Sequence, residues 1–272
     1  MDAIRKALDL AREERDRLGV DESAPTLLFD PKPVVRPIAS IRYTQTQVFE
    51  PSARLLEKNR IIAAGSADPA AAAYRLLRTQ VLQRMEKNGW RSLAILSPGN
   101  AAGKTTTAIN LAISLANDQM HTVLLVDFDL KRPTIAKRLG IVPETGSDDV
   151  LRGSARVADC LHHPKGFDRL VVLPARDCLE QSSEALAGPS CRQLVEELRN
   201  RYPDRIIIFD LPPILGADDA LAFSPLVECG LIVVAEGSTQ RDDVLRSMEL
   251  MRNLPIVGTV LNRAHDVTSA YG

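Results

Sequence analysis

The sequence lacks the features that mark several protein classes. Its four cysteines, Cys160, Cys178, Cys191 and Cys229, contain no C-x-x-C pair, which argues against a zinc site. A chain of 272 residues does not need disulfides for stability, so we expect reduced thiols in a cytosolic protein. The charged start of the chain is unlike a signal peptide, and no apolar run reaches the roughly 18 residues of a membrane-spanning helix. Any membrane role is therefore expected to depend on a partner or on a surface contact.

The chain also lacks an excess of charge of either sign. Its 34 basic and 35 acidic residues give a formal net charge of −1, so no nucleic acid partner is predicted. Apolar residues make up 45% and charged residues 25%, the balance of an ordinary globular protein. The length fits one α/β domain with an appendage.

Composition changes along the chain predict four segments. Residues 1–19 have the apolar spacing of an amphipathic helix, and residues 20–67 form an arm or linker that prolines interrupt repeatedly. A regular domain is predicted over residues 68–264, followed by a short tail over 265–272.

Within the domain, short Val/Ile/Leu-rich runs alternate with helical patterns, the first helix being expected over Pro69–Lys87. Runs without polar alternation are typical of strands buried on both faces of a parallel sheet, so the fold class is α/β with a doubly wound, mostly parallel sheet. Ligands of such sheets bind beyond the carboxyl ends of the strands. The predicted strands are Ser92–Leu96, Thr122–Val126, Leu170–Leu173, Arg205–Phe209, Leu231–Ala235 and Val257–Leu261.

A loop of small residues follows the first of these strands and precedes a helix. Its Gly-Lys-Thr sequence in this setting indicates a P-loop, whose backbone N–H groups surround phosphate oxygens. Lys104 would supply charge to the β- and γ-phosphates, and the Thr105 hydroxyl would bind Mg²⁺. Pro98 stands where the strict motif has glycine, so a surface turn is the alternative. The predicted nucleotide-binding residues of this loop are Gly99, Asn100, Ala101, Ala102, Gly103, Lys104, Thr105 and Thr106.

Carboxylates end two further strands. Asp127 and Asp129 follow one apolar run, and Asp210 follows another. Asp-x-Asp at a strand end suits metal coordination or proton abstraction, and a strand-end aspartate in a P-loop protein holds Mg²⁺. The alternatives are helix capping, or for the first pair an ion pair with Arg132.

Taken together, Gly103-Lys104-Thr105, Asp127-x-Asp129 and Asp210-x-x-Pro213 resemble the three Walker motifs of bacterial tyrosine kinases of capsule and exopolysaccharide biosynthesis. The resemblance covers roughly residues 70–264 and is strongest to stand-alone cytoplasmic members, such as exosortase-associated autokinases. It implies a P-loop NTPase fold of the MinD/ParA type, with Mg²⁺ and ATP as cofactors.

The resemblance also implies roles for single residues. Lys104 would hold the phosphates, Thr105, Asp127 and Asp210 would form the metal site, and Asp127 or Asp129 would help deprotonate the acceptor hydroxyl. Asn262 matches a position that contacts adenine in related ATPases, although it is also a plausible helix cap.

The implied activity is ATP-dependent autophosphorylation on tyrosine, which regulates polysaccharide polymerisation and export. The implied partner is the cytoplasmic tail of a transmembrane chain-length determinant, which would recruit the protein to the inner face of the membrane. Acceptor candidates are Tyr271 and Tyr43. The family's Glu-x-x-Arg-x-x-Arg oligomerisation motif keeps Arg75 and Arg78, but Ala72 replaces the glutamate.

Two other functions stay open from the sequence. One is a MinD/ParA-like regulatory ATPase, although such proteins carry a second lysine where this chain has Gly99. The other is a non-catalytic, nucleotide-dependent regulator of the same export machinery. Among minor candidates, His162 and His163 adjoin turn residues and are expected at the surface, and the pair Asp218 and Asp219 is interpreted as a helix cap.

Overall fold

The apolar runs form one sheet, as their pattern predicts. The computed structural model describes residues 46–62, 69–201 and 204–264. Within them the sheet has eight strands in the order β1-β4-β5-β3-β6-β2-β7-β8. The strands are β1 (Gln47–Phe49), β2 (Ser92–Leu96), β3 (Thr122–Asp127), β4 (His162–Pro164), β5 (Leu170–Leu173), β6 (Arg205–Asp210), β7 (Cys229–Ala235) and β8 (Ile256–Asn262).

Helices connect the strands and cover both faces of the sheet. They are α1 (Ala53–Lys58), α2 (Pro69–Asn88), α3 (Lys104–Ala116), α4 (Ile135–Leu139), α5 (Ser147–Leu151), α6 (Ser182–Ala187), α7 (Pro189–Arg201), α8 (Asp219–Phe223) and α9 (Arg241–Leu250). The helix predicted from residue 69 is confirmed and ends one residue later than expected. None of the helices in these ranges has the length and apolar character needed to cross a bilayer.

Two apolar cores lie on opposite faces of the sheet. Along β2, Leu93 and Ile95 contribute to one core, and Ala94 and Leu96 to the other, because successive side chains of a strand point to opposite faces. The first core packs under α2 and α3, and the second under α7 and α8. Each fully buried Leu or Ile contributes roughly 1.5–3 kcal/mol. The doubly wound arrangement follows from this two-sided burial.

Strand direction brings the functional segments to one edge. The neighbours β3, β6, β2, β7 and β8 are all parallel, so their carboxyl ends lie on the same side. In the register of β3 with β6, Asp127 lies directly opposite Asp210. The β4–β5 pair is antiparallel, which makes the sheet mostly rather than wholly parallel.

The described part of the predicted arm is ordered against the domain. Residues 47–49 pair with β4 as an edge strand, and α1 packs beside α4. Leu56 and Ile61 are buried in the first core. The segment from 46 to 62 thus differs from an irregular linker, because apolar side chains after its single proline, Pro51, reach the core. The helix predicted over residues 1–19 and the tail over 265–272 lie outside the described residues, as does Tyr43.

The expectation of surface histidines is wrong. His162 and His163 form β4 and are both buried. His162 Nδ1 lies 3.0 Å from the Cys160 carbonyl oxygen, and its ring contacts Phe49 of β1 edge to face. Burial lowers the pKa of His162. Pro164 is the last residue of this strand, and the expected turn follows it at Lys165 and Gly166.

Candidate functional site

The loop between β2 and α3 is held in an unusual backbone conformation. Ala101 has φ 61° and Gly103 has φ 90°, both in the left-handed region. The Ser97 hydroxyl donates to the Gly99 carbonyl at 2.8 Å and closes the start of the loop. Glycine adopts such angles without strain, whereas alanine does so at a cost of roughly 1 kcal/mol. The small side chains leave the backbone N–H groups open to a ligand.

Neighbouring strand ends hold this loop in place. After β6, the backbone N–H groups of Ile214 and Leu215 donate to the carbonyls of Ser97 and Pro98 at 2.9 and 3.1 Å. After β8, Asn262 Nδ2 donates to the Ala102 carbonyl at 2.8 Å. Arg263, itself at φ 61°, donates from Nη2 to the Ala101 carbonyl at 2.6 Å. These contacts satisfy four carbonyl groups of the segment from Ser97 to Ala102 and fix its backbone conformation.

Lys104 meets two of the three predicted carboxylates. Its Nζ lies 2.9 Å from Asp210 Oδ1 and 3.4 Å from Asp129 Oδ2. Asp127 lies deeper, and its Oδ2 accepts the backbone N–H groups of Thr134 and Ile135 at 3.1 and 3.0 Å. Asp127 Oδ1 and Asp210 Oδ2 are buried and have no hydrogen-bond partner. Two carboxylate oxygens therefore remain available to a further ligand.

The charges of this cluster perturb one another strongly. Burial, followed by the charge of Asp210, raises the pKa of Asp127 to about 8. Burial likewise raises the pKa of Asp129, against the attraction of Lys104. For Lys104, burial works to lower the pKa, but attraction to Asp210 and Asp129 outweighs it and the pKa is raised. Lys104 is therefore a cation at neutral pH, and Asp127 readily takes up a proton when no other cation is present.

A cleft of about 990 Å³ opens above the loop and the lysine. Thr105 and Thr106 are half-buried in its wall, and Asp129 also faces it. The cleft is lined mainly by basic rather than acidic side chains, which suits a polyanion. Its basic residues are Lys58, Arg60, Lys104, Arg132, Arg138 and Arg263, and its acidic residues are Asp129 and Glu236.

The structure brings together all the site residues named from the sequence. Gly99 to Thr106 and Asn262 line the cleft, while Asp127 and Asp210 lie beneath it. Asn262 contacts the P-loop carbonyl, and its role toward adenine stays a prediction. Sequence reasoning missed Arg138, whose Nη1 donates to Thr106 Oγ1 at 3.1 Å, and the end of α1. No motif marks these residues, because distant segments bring them to the cleft.

The proposed metal ligands do not form a ready-made metal cluster. No group of three or more His, Cys, Asp or Glu side chains in the described ranges has an arrangement that could hold a metal. Mg²⁺ in nucleotide sites is bound by one or two protein groups together with phosphates and water. The open oxygens of Asp127 and Asp210 and the hydroxyl of Thr105 fit such a partial site.

A second ionic network lies beside the first. Asp219 is fully buried, pairs with Lys131 Nζ at 3.0 Å and accepts a hydrogen bond from Ser182 Oγ. The capping interpretation of Asp219 therefore misses its main contacts, although the residue does begin α8. Lys131 follows Asp129 by two residues, so this network anchors the strand-end loop to α6 and α8.

Gly103 provides a direct test of the loop geometry. A Cβ added to it would collide with Asn262 Nδ2, and its φ of 90° would also be strained. We expect Gly103→Ala to lower the free energy of unfolding by about 1–3 kcal/mol and to weaken nucleotide binding. Gly153→Ala is the matched control, since its φ is 75° but nothing lies near its added Cβ. Equal losses in the two variants, measured by urea denaturation, would contradict the proposed close fit.

Comparison with known proteins places this geometry in context. A family model described as an AAA domain matches residues 92–235. Succinoglycan biosynthesis transport protein ExoP of Rhizobium meliloti is 30% identical over 216 residues, which cover 75% of this chain and 26% of ExoP. Tyrosine-protein kinase YwqD of Bacillus subtilis is 28% identical over 193 residues, 70% of this chain and 79% of YwqD. The chain thus spans about a quarter of ExoP but most of YwqD.

Solved structures agree with these relatives. The kinase domain of the Escherichia coli tyrosine kinase ETK superposes with a TM-score of 0.68 at 26% identity, covering 85% of this chain and 89% of that domain. The cell division ATPase MinD of Pyrococcus furiosus gives a TM-score of 0.55 at 30% identity, with 64% and 73% coverage. The predicted MinD-type fold and the predicted resemblance to bacterial tyrosine kinases are confirmed.

Proposed function

Because the chain belongs to the AAA domain family, we propose that it is an Mg-ATP-dependent protein-tyrosine kinase that regulates exopolysaccharide or capsule production. One observation carries the proposal. Lys104, Asp129 and Asp210 meet within ion-pair distance beneath a P-loop, at the ends of three neighbouring parallel strands. The tyrosine-kinase names of YwqD and ETK supply the reaction class.

In this proposal, the loop N–H groups and Lys104 bind the phosphates of ATP. Lys104 would exchange its contacts with Asp210 and Asp129 for phosphate oxygens, which frees both carboxylates. Thr105, Asp127 and Asp210 would hold Mg²⁺, which offsets charge on the phosphates. The fit rests on the open oxygens of Asp127 and Asp210, which are otherwise costly to bury.

Asp129 is the better candidate for the general base. It faces the cleft with 15% of its side chain exposed, whereas Asp127 is fully buried. A tyrosine hydroxyl has a pKa near 10 and needs a proton acceptor at neutral pH. Asp129 would take this proton while the phenolic oxygen bonds to the γ-phosphorus. The bond from that phosphorus to the β–γ bridging oxygen breaks, and ADP leaves.

The partner and location are proposed on the same basis. ExoP is named as a transport protein, and this chain matches only about a quarter of it. We propose that a separate transmembrane chain-length determinant supplies the remaining function and recruits this chain through its cytoplasmic tail. We also propose that the chain forms homo-oligomers through the region of Arg75 and Arg78. Arg78 Nη1 donates to the Ser114 carbonyl at 3.1 Å, so Arg75 is the more accessible of the two.

The test is incubation of the full chain with Mg-ATP carrying a labelled γ-phosphate, followed by phosphotyrosine mapping. We expect the label on tyrosine. Tyr271→Phe should remove most of the label, and Tyr43→Phe, at the other acceptor candidate, is the matched variant for comparison. A synthetic tail of the membrane partner is added in parallel. Free phosphate without labelled protein under both conditions would instead support the regulatory ATPase. Nucleotide binding without turnover would support the non-catalytic regulator.

A further inference from the structure

The end of α1 enters the cleft that contains the P-loop. Lys58, Asn59 and Arg60 line this cleft together with Lys104, Thr105 and Thr106. The three arm residues belong to a segment that precedes the domain in sequence and contains none of the three Walker motifs. Contacts between this segment and the domain, rather than a sequence motif, therefore place the three residues in the cleft.

Arg60 has the backbone conformation that usually selects glycine. Its φ is 56°, and it follows the last turn of α1. Its N–H donates to the Glu57 carbonyl at 2.9 Å, and the N–H of Ile61 donates to the Leu56 carbonyl at 2.8 Å. This is the Schellman pattern of helix ends, in which the left-handed position favours glycine. The backbone at this position disfavours arginine. A favourable contact of the Arg60 side chain would account for an arginine here.

Asn110 fixes Arg60 close to the P-loop. Its Nδ2 donates to the Arg60 carbonyl at 2.9 Å, and its Oδ1 accepts the Ile62 N–H at 2.8 Å. Asn110 is almost fully buried in α3, four residues after Thr106. Residues four apart share one face of a helix, about one turn apart. Asn110 thus attaches the Arg60 main chain to α3 at a point about one turn beyond Thr106, which lines the cleft.

A second arginine links the arm to the same threonine. Arg138 donates from Nη1 to Thr106 Oγ1 at 3.1 Å, while its carbonyl accepts Asn59 Nδ2 at 3.0 Å. Within the described residues, no ion pair engages Arg60 or Arg138. The cleft therefore presents cations beside the P-loop that its own acidic side chains do not neutralise.

We propose that Arg60 is a nucleotide-binding residue: its guanidinium contacts the phosphates of bound ATP, and the arm forms one wall of the nucleotide site. The inference rests on the proposed ATP-binding function of the cleft. Asn110 acts as a positioning residue, since it holds the Arg60 main chain and touches no ligand itself. Nucleotide binding and docking of the arm then stabilise each other.

The test compares Arg60→Gln with Arg54→Gln in the full chain. Both remove one positive charge from the same segment, but Arg54 is exposed on α1 and does not line the cleft. Calorimetric titration with Mg-ATP should give a Kd that is raised about fivefold for Arg60→Gln and unchanged for Arg54→Gln. A fivefold change is the effect expected from the loss of one partly exposed contact between charged groups. Equal Kd values for the two variants would overturn the inference.

Arg60→Gly separates binding from folding. Glycine relieves the left-handed backbone, so the melting temperature of the free protein should stay equal or rise, whereas ATP affinity should still fall about fivefold. A variant that binds ATP like the wild type would refute a role of the side chain. In an Asn110→Ala background, Arg60→Gln should change the Kd less than in the wild type, and full additivity would refute positioning by Asn110. If the wild type itself binds no Mg-ATP, the proposed function fails instead.

Discussion

Lys104→Met is expected to reduce transfer of phosphate from ATP at least about a hundredfold. The lysine is the only basic side chain that contacts Asp129 and Asp210 among the described ion pairs, and it begins the helix that follows the P-loop. Methionine has similar length but carries no charge for the phosphates. The measurement is single-turnover labelling with Mg-ATP, with Lys137→Met on the exposed side of α4 as the control.

The same substitution is expected to destabilise the free protein. Removing one member of a buried ion pair leaves the other without compensation, at a cost of about 3–5 kcal/mol. In Lys104→Met, Asp210 loses its 2.9 Å partner. The double variant Lys104→Met/Asp210→Asn should recover much of the stability but none of the activity. Recovery of phosphate transfer in the double variant would show that the lysine acts only through folding.

Most of the sheet could be predicted because its strands are buried on both faces. The runs at Ser92–Leu96 and Leu170–Leu173 have the observed bounds, since only buried residues occupy them. β1 and β4 were missed because each has only three residues, too few to show a pattern, and β4 consists of two histidines and a proline. Their pairing depends on the burial of His162 and on neighbours far apart in the chain, which local sequence does not encode.

The site could be predicted as a set of residues but not as an arrangement. Each Walker motif is local, so Lys104, Asp127 and Asp210 are visible in the sequence. Their mutual contacts depend on β6 lying between β2 and β3. Local sequence patterns do not reveal this strand order. The contribution of the arm to the cleft could not be predicted for the same reason. The Arg60 carbonyl accepts a hydrogen bond from Asn110, fifty residues away, and this contact holds Arg60 at the cleft.

Asp127→Asn is expected to have opposite effects on activity and on stability. Asparagine can still accept the N–H groups of Thr134 and Ile135, so the loop after β3 should keep its shape. The variant lacks the negative charge that is proposed to help hold Mg²⁺. We expect phosphate transfer to fall at least about a hundredfold in the labelling assay.

The stability effect follows from the raised pKa of Asp127. Burial and Asp210 bring this pKa to about 8 in the folded protein, from a usual value of 3.8. Between these values the folded state binds more protons than the unfolded state, so the contribution of Asp127 to stability falls as pH rises from about 4 to about 8. Asparagine does not titrate. At pH 8, without nucleotide, Asp127→Asn should therefore be more stable than the wild type by over about 1.4 kcal/mol, the equivalent of one pKa unit.

Urea denaturation at pH 5, 6.5 and 8 tests this difference, with Asp118→Asn as the control of opposite sign. Hydrogen bonds from the Met120 N–H and from His121 lower the pKa of Asp118 despite its partial burial, so its loss should destabilise the protein slightly at neutral pH. A stability gain for Asp127→Asn that grows with pH is expected because burial and the charge of Asp210 both raise the pKa of Asp127 in the free protein. A loss at pH 8 would contradict this raised pKa, and with it the view that the two carboxylates are arranged for a cation that arrives with the nucleotide.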